Sequence, residues 1–166
     1  MTWLLDRILL RELRVCVRDI FDVFNSPPSV LKIVYTSRQF QLHGEDFDDS
    51  FLFIGPSIIE RKHDPAFPLE RLRGRIAYIS LGTVANASIG FYRLCFSALA
   101  GVKATAVMSV GRRIDMKRRG AIPANFLVFD HVPQLEVLKR ADIYVTPAGM
   151  NCISEGLYDS VPLVIN

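Results

Sequence analysis

The chain has 166 residues, 20 Lys and Arg against 17 Asp and Glu, and is 50% hydrophobic. That length bounds it at one ordinary domain, or one domain and part of another, and its 11 Phe, 5 Tyr and single Trp exclude a disordered chain. A net charge of +3 is too small to imply nucleic-acid binding; Cys16, Cys95 and Cys152 form no CxxC pair, which argues against a disulfide framework or a metal site and for a reducing compartment.

In chain order, Leu4, Leu5, Ile8, Leu9 and Leu13 share one helical face, while Asp6 and Arg7 interrupt what a signal peptide would keep apolar. An amphipathic packing helix is expected. No apolar run approaches the ~20 residues a bilayer crossing needs, so no membrane span is expected and the chain reads as cytoplasmic. Residues 30–37 (VLKIVYTS) follow Pro27-Pro28 and read as a buried strand. A polar loop, His43 to Ser50, leads to a short strand at Phe51 to Ile54, stopped by Gly55-Pro56. Residues 59–74, with Arg61-Lys62-His63-Asp64-Pro65, carry a linker signature between an N-terminal portion (1–58) and a C-terminal one (75–166).

From Arg75 apolar runs recur at Ile76–Ile79, Ala104–Val110, Phe126–Phe129, Ile143–Val145 and Leu163–Ile165, without polar alternation, as expected of strands covered on both faces. Helical spacing lies between them: Phe91, Leu94, Cys95, Ala98 and Leu99; Leu135 and Leu138; Met150, Ile153 and Leu157. Strand–helix alternation of this length predicts right-handed crossovers and a Rossmann-like parallel sheet, with ligand beyond the carboxyl ends of the strands. The last run stops at Asn166, where a site loop is expected, and so reads as truncated.

Three strand-to-helix turns carry candidate chemistry. Ser80-Leu81-Gly82-Thr83 offers a glycine that lets backbone approach an anion and a hydroxyl that can donate to it. His131-Val132-Pro133-Gln134 offers a ring that can stack on a base and an amide with donor and acceptor; the alternative for the His is an ordinary exposed turn residue. Thr146-Pro147-Ala148-Gly149-Met150-Asn151-Cys152 opens a helix whose N-terminus favours phosphate, and Glu155 can accept from ribose hydroxyls. Glu155 can equally complement the helix dipole or remain solvated. The run Arg112 to Arg119 holds five cations and one Asp without interleaved aromatics, and reads as a solvated loop or helix rather than an anion site.

Taken in order, IAYISLGT (76–83), VPQLEVL (132–138), TPAGMNCISE (146–155) and VPLV (161–164) resemble the UDP-dependent glycosyltransferases of the macrolide glycosyltransferase-like group, which have the two-domain GT-B fold. Ile33-Val-Tyr-Thr-Ser-Arg38, Phe40-Gln41 and Phe53-Ile-Gly-Pro56 look like the end of that family's acceptor domain. The resemblance implies a remnant acceptor domain followed by an incomplete nucleotide-sugar-binding domain, with no metal or cofactor beyond the UDP-sugar donor itself. It places Gly82 and Thr83 by the diphosphate, Val132 and His131 at the uracil with Gln134 nearby, Gly149, Asn151 and Cys152 at the phosphate end of the helix, and Glu155 on the ribose.

Departures from the pattern matter as much. Pro147 stands where relatives usually carry a His, which removes an imidazole donor and a backbone N–H. Cys152 replaces a hydroxyl residue. The general-base His and the acidic-Gln pair that contacts the sugar are absent from the sequence, so no catalytic residue is assigned, and neither His43 nor His63 has the context of a replacement. General-base catalysis contributes ~10²–10⁴-fold and one oxyanion-type donor ~10²–10³-fold, so the expectation is hexosyl transfer to a small hydrophobic acceptor that this stretch alone performs poorly or not at all. The competing expectations are a non-catalytic, partner-docking half of a split glycosyltransferase, bound to an acceptor-domain protein, and a degenerate gene fragment.

Overall fold

The computed structural model describes residues 31–61, 65–82, 88–112 and 121–166. The expected N-terminal helix, His63, Thr83 and most of the basic run lie outside them. The chain divides into two compact units, Met1–Ser57 and Ile58–Asn166.

In the first unit β1 (Lys32–Val34) pairs in parallel with β2 (Phe51–Phe53). The strand expected over 30–37 is shorter than its apolar run and is not buried: Ile33 and Leu31 are exposed. Two strands give each residue one neighbour, and only the face bearing Val34, Phe51 and Phe53 is covered among the described residues. The connection is tied by Arg38, whose guanidinium donates to the carbonyls of Gly44 and Phe47 at 2.8 Å and of Phe51 at 3.3 Å, and lies over the Phe53 ring. Gly44 is required here because a Cβ would strike the Arg38 carbonyl oxygen.

The second unit is built on a five-stranded parallel sheet: β3 (Ile76–Ser80), β4 (Thr105–Ser109), β5 (Phe126–Phe129), β6 (Ile143–Thr146) and β7 (Leu163–Ile165), in the order β5-β4-β3-β6-β7. Among the described residues three helices lie between them: α1 (Ile89–Leu99), α2 (Gln134–Leu138) and α3 (Met150–Tyr158). The apolar runs read as strands from sequence are therefore strands, within a residue or two at each end. Because successive strand residues face opposite ways, each run feeds two cores. One holds Ile76, Tyr78, Val107, Leu127 and Tyr144 with Val137 and Leu138 of α2. The other holds Ile79, Ala106, Met108 and Phe126 with Tyr92, Cys95 and Phe96 of α1. Phe67 and Leu72, inside the stretch read as a linker, are buried in the first of these cores.

Two helices are rotated from the faces their spacing suggests. In α1 the buried side chains are Tyr92, Cys95 and Phe96, and Leu94 is 65% exposed. In α3 Met150 and Leu157 are exposed, while Glu155 and Gly156 are buried. The reason lies in Gly156, where a Cβ would meet Leu163 Cδ2 at 2.6 Å and Tyr144 Cδ1 at 3.4 Å. Only glycine lets α3 sit this close to β6 and β7, and the close approach turns Glu155 inward rather than the apolar stripe.

No described helix is long and apolar enough to cross a membrane.

Candidate functional site

The strand order places the topological switch between β3 and β6: the chain runs outward from β3 through β4 to β5, then returns across β3 to β6. In open parallel sheets the crevice at such a point, beyond the carboxyl ends of the strands, receives the ligand. Both the Ser80–Gly82 turn and the Thr146–Gly149 turn emerge there, from neighbouring strands in register. Each turn is closed by a strand-end hydroxyl: Ser80 Oγ accepts from Gly82 N–H and Thr146 Oγ1 from Ala148 N–H, both at 3.3 Å. Each also needs a left-handed residue, Gly82 at φ 70° and Ala148 at φ 59°.

Gly149 then caps α3 without a side chain, so the N–H groups of the first turn have no side-chain partner and face the end of the sheet. Asn151 and Gly149 are exposed; Cys152 is half-buried and packs against the Tyr78–Tyr144 core. The loop after β5 exposes His131 and buries the Val132 side chain, leaving that residue's backbone as what it can offer outward.

Gln134 and Glu155 are brought together. Gln134 opens α2 and Glu155 lies in α3, and Gln134 Nε2 donates to Glu155 Oε2 at 2.6 Å. Glu155 is only 6% exposed, so it is not a solvated helix residue. Its other oxygen accepts from Arg61 Nη2 at 2.9 Å; the Arg61 side chain is mostly in water, which limits what that ion pair contributes. A carboxylate oxygen has two lone pairs, so Glu155 retains acceptor capacity beyond these two hydrogen bonds.

Beneath this pair lie two residues that the reading of the turns passed over. Tyr78 and Tyr144 are register partners on β3 and β6, with rings stacked at 4.8 Å. Both hydroxyls donate to Gln134 Oε1, each at 3.2 Å. Burial pushes both phenols up from their ordinary range; for Tyr144 a hydrogen bond with Cys152 acts in the same direction, so both remain protonated donors. The sequence held a signal for them: a tyrosine inside a fully buried strand must find a partner for its hydroxyl, and each stands two residues before the hydroxyl that closes a turn. Arg61 had no such signal, because it lies in the stretch read as a linker.

Among the described residues no group of His, Cys, Asp and Glu is arranged to hold a metal ion.

No family model matches the chain. It is 42% identical over 136 residues to the uncharacterized UDP-glucosyltransferase YdhE of Bacillus subtilis, covering 81% of this chain and 34% of that protein. The oleandomycin glycosyltransferase of Streptomyces antibioticus is 30% identical over 145 residues, 86% of this chain and 34% of its own length. Among solved structures, the glycosyltransferase of kitacinnamycin superposes with a TM-score of 0.76 at 32% identity, over 98% of this chain and 42% of that one. The chain thus spans about a third of the length of the curated relatives it matches. Over that stretch, in sequence and in the five-stranded parallel sheet, it belongs to the UDP-dependent glycosyltransferases of the macrolide glycosyltransferase-like group, with the fold of a GT-B C-terminal domain.

Proposed function

We propose that the Ile58–Asn166 unit binds the UDP portion of a UDP-sugar at the carboxyl ends of β3 and β6, as the donor half of a transferase that moves a hexosyl group to a hydroxyl of a small hydrophobic acceptor. The hydrogen bond between Gln134 and the buried Glu155 carboxylate carries this reading. A vicinal diol needs a strong acceptor for its O–H groups and a donor for its lone pairs, and a carboxylate hydrogen-bonded to an amide supplies both. The names of the relatives support the nucleotide and the macrolide-like acceptor.

The other residues take roles consistent with their positions. Gly82, with Thr83 next to it in sequence, and the α3 N-terminus at Gly149, Asn151 and Cys152 are assigned to the diphosphate, where the helix dipole stabilises the charge left on UDP as the anomeric C–O bond breaks. Val132 backbone and the exposed His131 lie toward the base. Arg61 approaches Glu155 from the water side, and a bound diol shares that carboxylate with it.

Calorimetric titration with UDP, then UDP-glucose, tests the reading. Saturable binding is expected, weakened about tenfold or more by Glu155→Ala. A folded chain that binds neither ligand at millimolar concentration would overturn it.

Pro147 favours a second reading, in which the chain binds nucleotide without turning it over, docked on an acceptor-domain partner. Proline has no N–H to give the diphosphate at the turn where the strand ends. Glycosylation of phenolic or macrolide acceptors by the chain alone counts against this second reading; a stable heteromer with an acceptor-domain protein counts for it.

A further inference from the structure

The Gln134 amide is the joint of the site. Its oxygen faces two buried phenols and its nitrogen faces Glu155, so one side chain links β3, β6, α2 and α3. The second N–H of that amide makes no hydrogen bond among the described residues. An amide turned over by 180° would set its oxygen against the Glu155 carboxylate, acceptor against acceptor at 2.6 Å, and would put N–H groups on the phenols. Two O–H donors converging on Oε1 oppose that rotation. They also hold the amide down: Gln134 is half-buried, and without the two phenols Oε1 loses both of its partners, so the side chain swings toward water to find one. That movement takes the N–H groups away from Glu155.

We propose that Tyr78 and Tyr144 are positioning residues that set the site's preference for ribose over 2′-deoxyribose by fixing the Gln134 amide. The inference rests on the reading that Gln134 and Glu155 hold a ribose diol. Tyr78 and Tyr144 do not touch the nucleotide; they act through Gln134. Replacing either by Phe removes one hydroxyl and keeps the ring in the stacked pair, so the core beneath is preserved.

The test is the ratio of affinities for UDP and 2′-deoxy-UDP, measured by calorimetry on the chain and on Tyr78→Phe, Tyr144→Phe and the double variant. A role confined to stability would leave this ratio unmoved. The unaltered chain is expected to prefer UDP about tenfold or more, the double variant about threefold or less, and each single variant to fall between. A double variant that unfolds cooperatively and keeps the full preference overturns the positioning role and leaves the ribose reading standing. An unaltered chain that binds both nucleotides equally, or neither, overturns the ribose reading and the inference with it. If the double variant does not fold, the single variants decide on the same ratio: a preference equal to that of the unaltered chain overturns the proposal.

Discussion

The two faces of the five-stranded sheet are made from alternate residues of the same strands, yet they differ in kind. The face under α1 is apolar from end to end, with Ile79, Ala106, Met108 and Val110 against Cys95 and Phe96. The face under α2 and α3 begins the same way, with Ile76, Val107 and Leu127, but ends in hydroxyls: Ser80 on β3, Ser109 beside it on β4, and Thr146 on β6. Tyr78 and Tyr144 stand one step beneath, joined to Gln134 and through it to Glu155. A two-residue period therefore separates packing from chemistry. Every second side chain stabilises the fold, and the others, near the carboxyl ends of the strands, build the site.

The largest effect expected from breaking that division lies on the apolar face. Ile79 is fully buried, and Ile79→Ala should cost about 2–5 kcal/mol in urea unfolding, through lost burial and the cavity left behind. The affinity of the remaining folded protein for UDP should be unchanged. On the other face Glu155→Ala should cost less stability, about 1–3 kcal/mol, because it takes the partner from a half-buried Gln134 N–H. Its effect on UDP binding should be far larger than that of Ile79→Ala. Equal losses of affinity in the two variants would show that the faces are not separable.

Much of this arrangement was legible in the sequence. The five β-branched and apolar runs from Ile76 onward are the five strands, and the turns at Gly82, Gln134 and Gly149 lie where the strand order opens a crevice. What sequence spacing misassigned were helix faces. Met150, Ile153 and Leu157 satisfy a helical period, yet α3 buries the opposite side, because Gly156 admits the helix close to Leu163 and that contact outweighs the hydrophobicity of the stripe. Periodicity ranks faces by apolar content and is blind to the closeness one glycine permits. The linker-like composition of residues 59–74 likewise concealed Phe67 and Leu72, since a core can recruit isolated apolar residues from an otherwise irregular segment. The Gln134–Glu155 contact joins residues 21 positions apart on two helices, and no local pattern encodes it.

The smallest expected effect sharpens the comparison within a single helix. Ala148, just before α3, and Ser160, just after it, both hold left-handed backbone, at φ 59° and φ 57°. For a residue with a Cβ that conformation costs about 1–2 kcal/mol, and the greater freedom of glycine in the unfolded chain takes back about 0.5–1 kcal/mol. Glycine at either position should therefore stabilise the fold by up to about 1 kcal/mol, read as a rise in melting temperature. The two should part company in binding. Ala148 lies in the turn that aims the first N–H groups of α3 beyond β6, and its own N–H is held by Thr146. Relaxing that turn should weaken UDP binding several-fold while the melting temperature rises, whereas Ser160→Gly should stabilise and leave binding alone. If Ala148→Gly stabilises without any loss of affinity, the left-handed turn is only a consequence of chain reversal, and the aim of the helix is set by the packing at Gly156 instead.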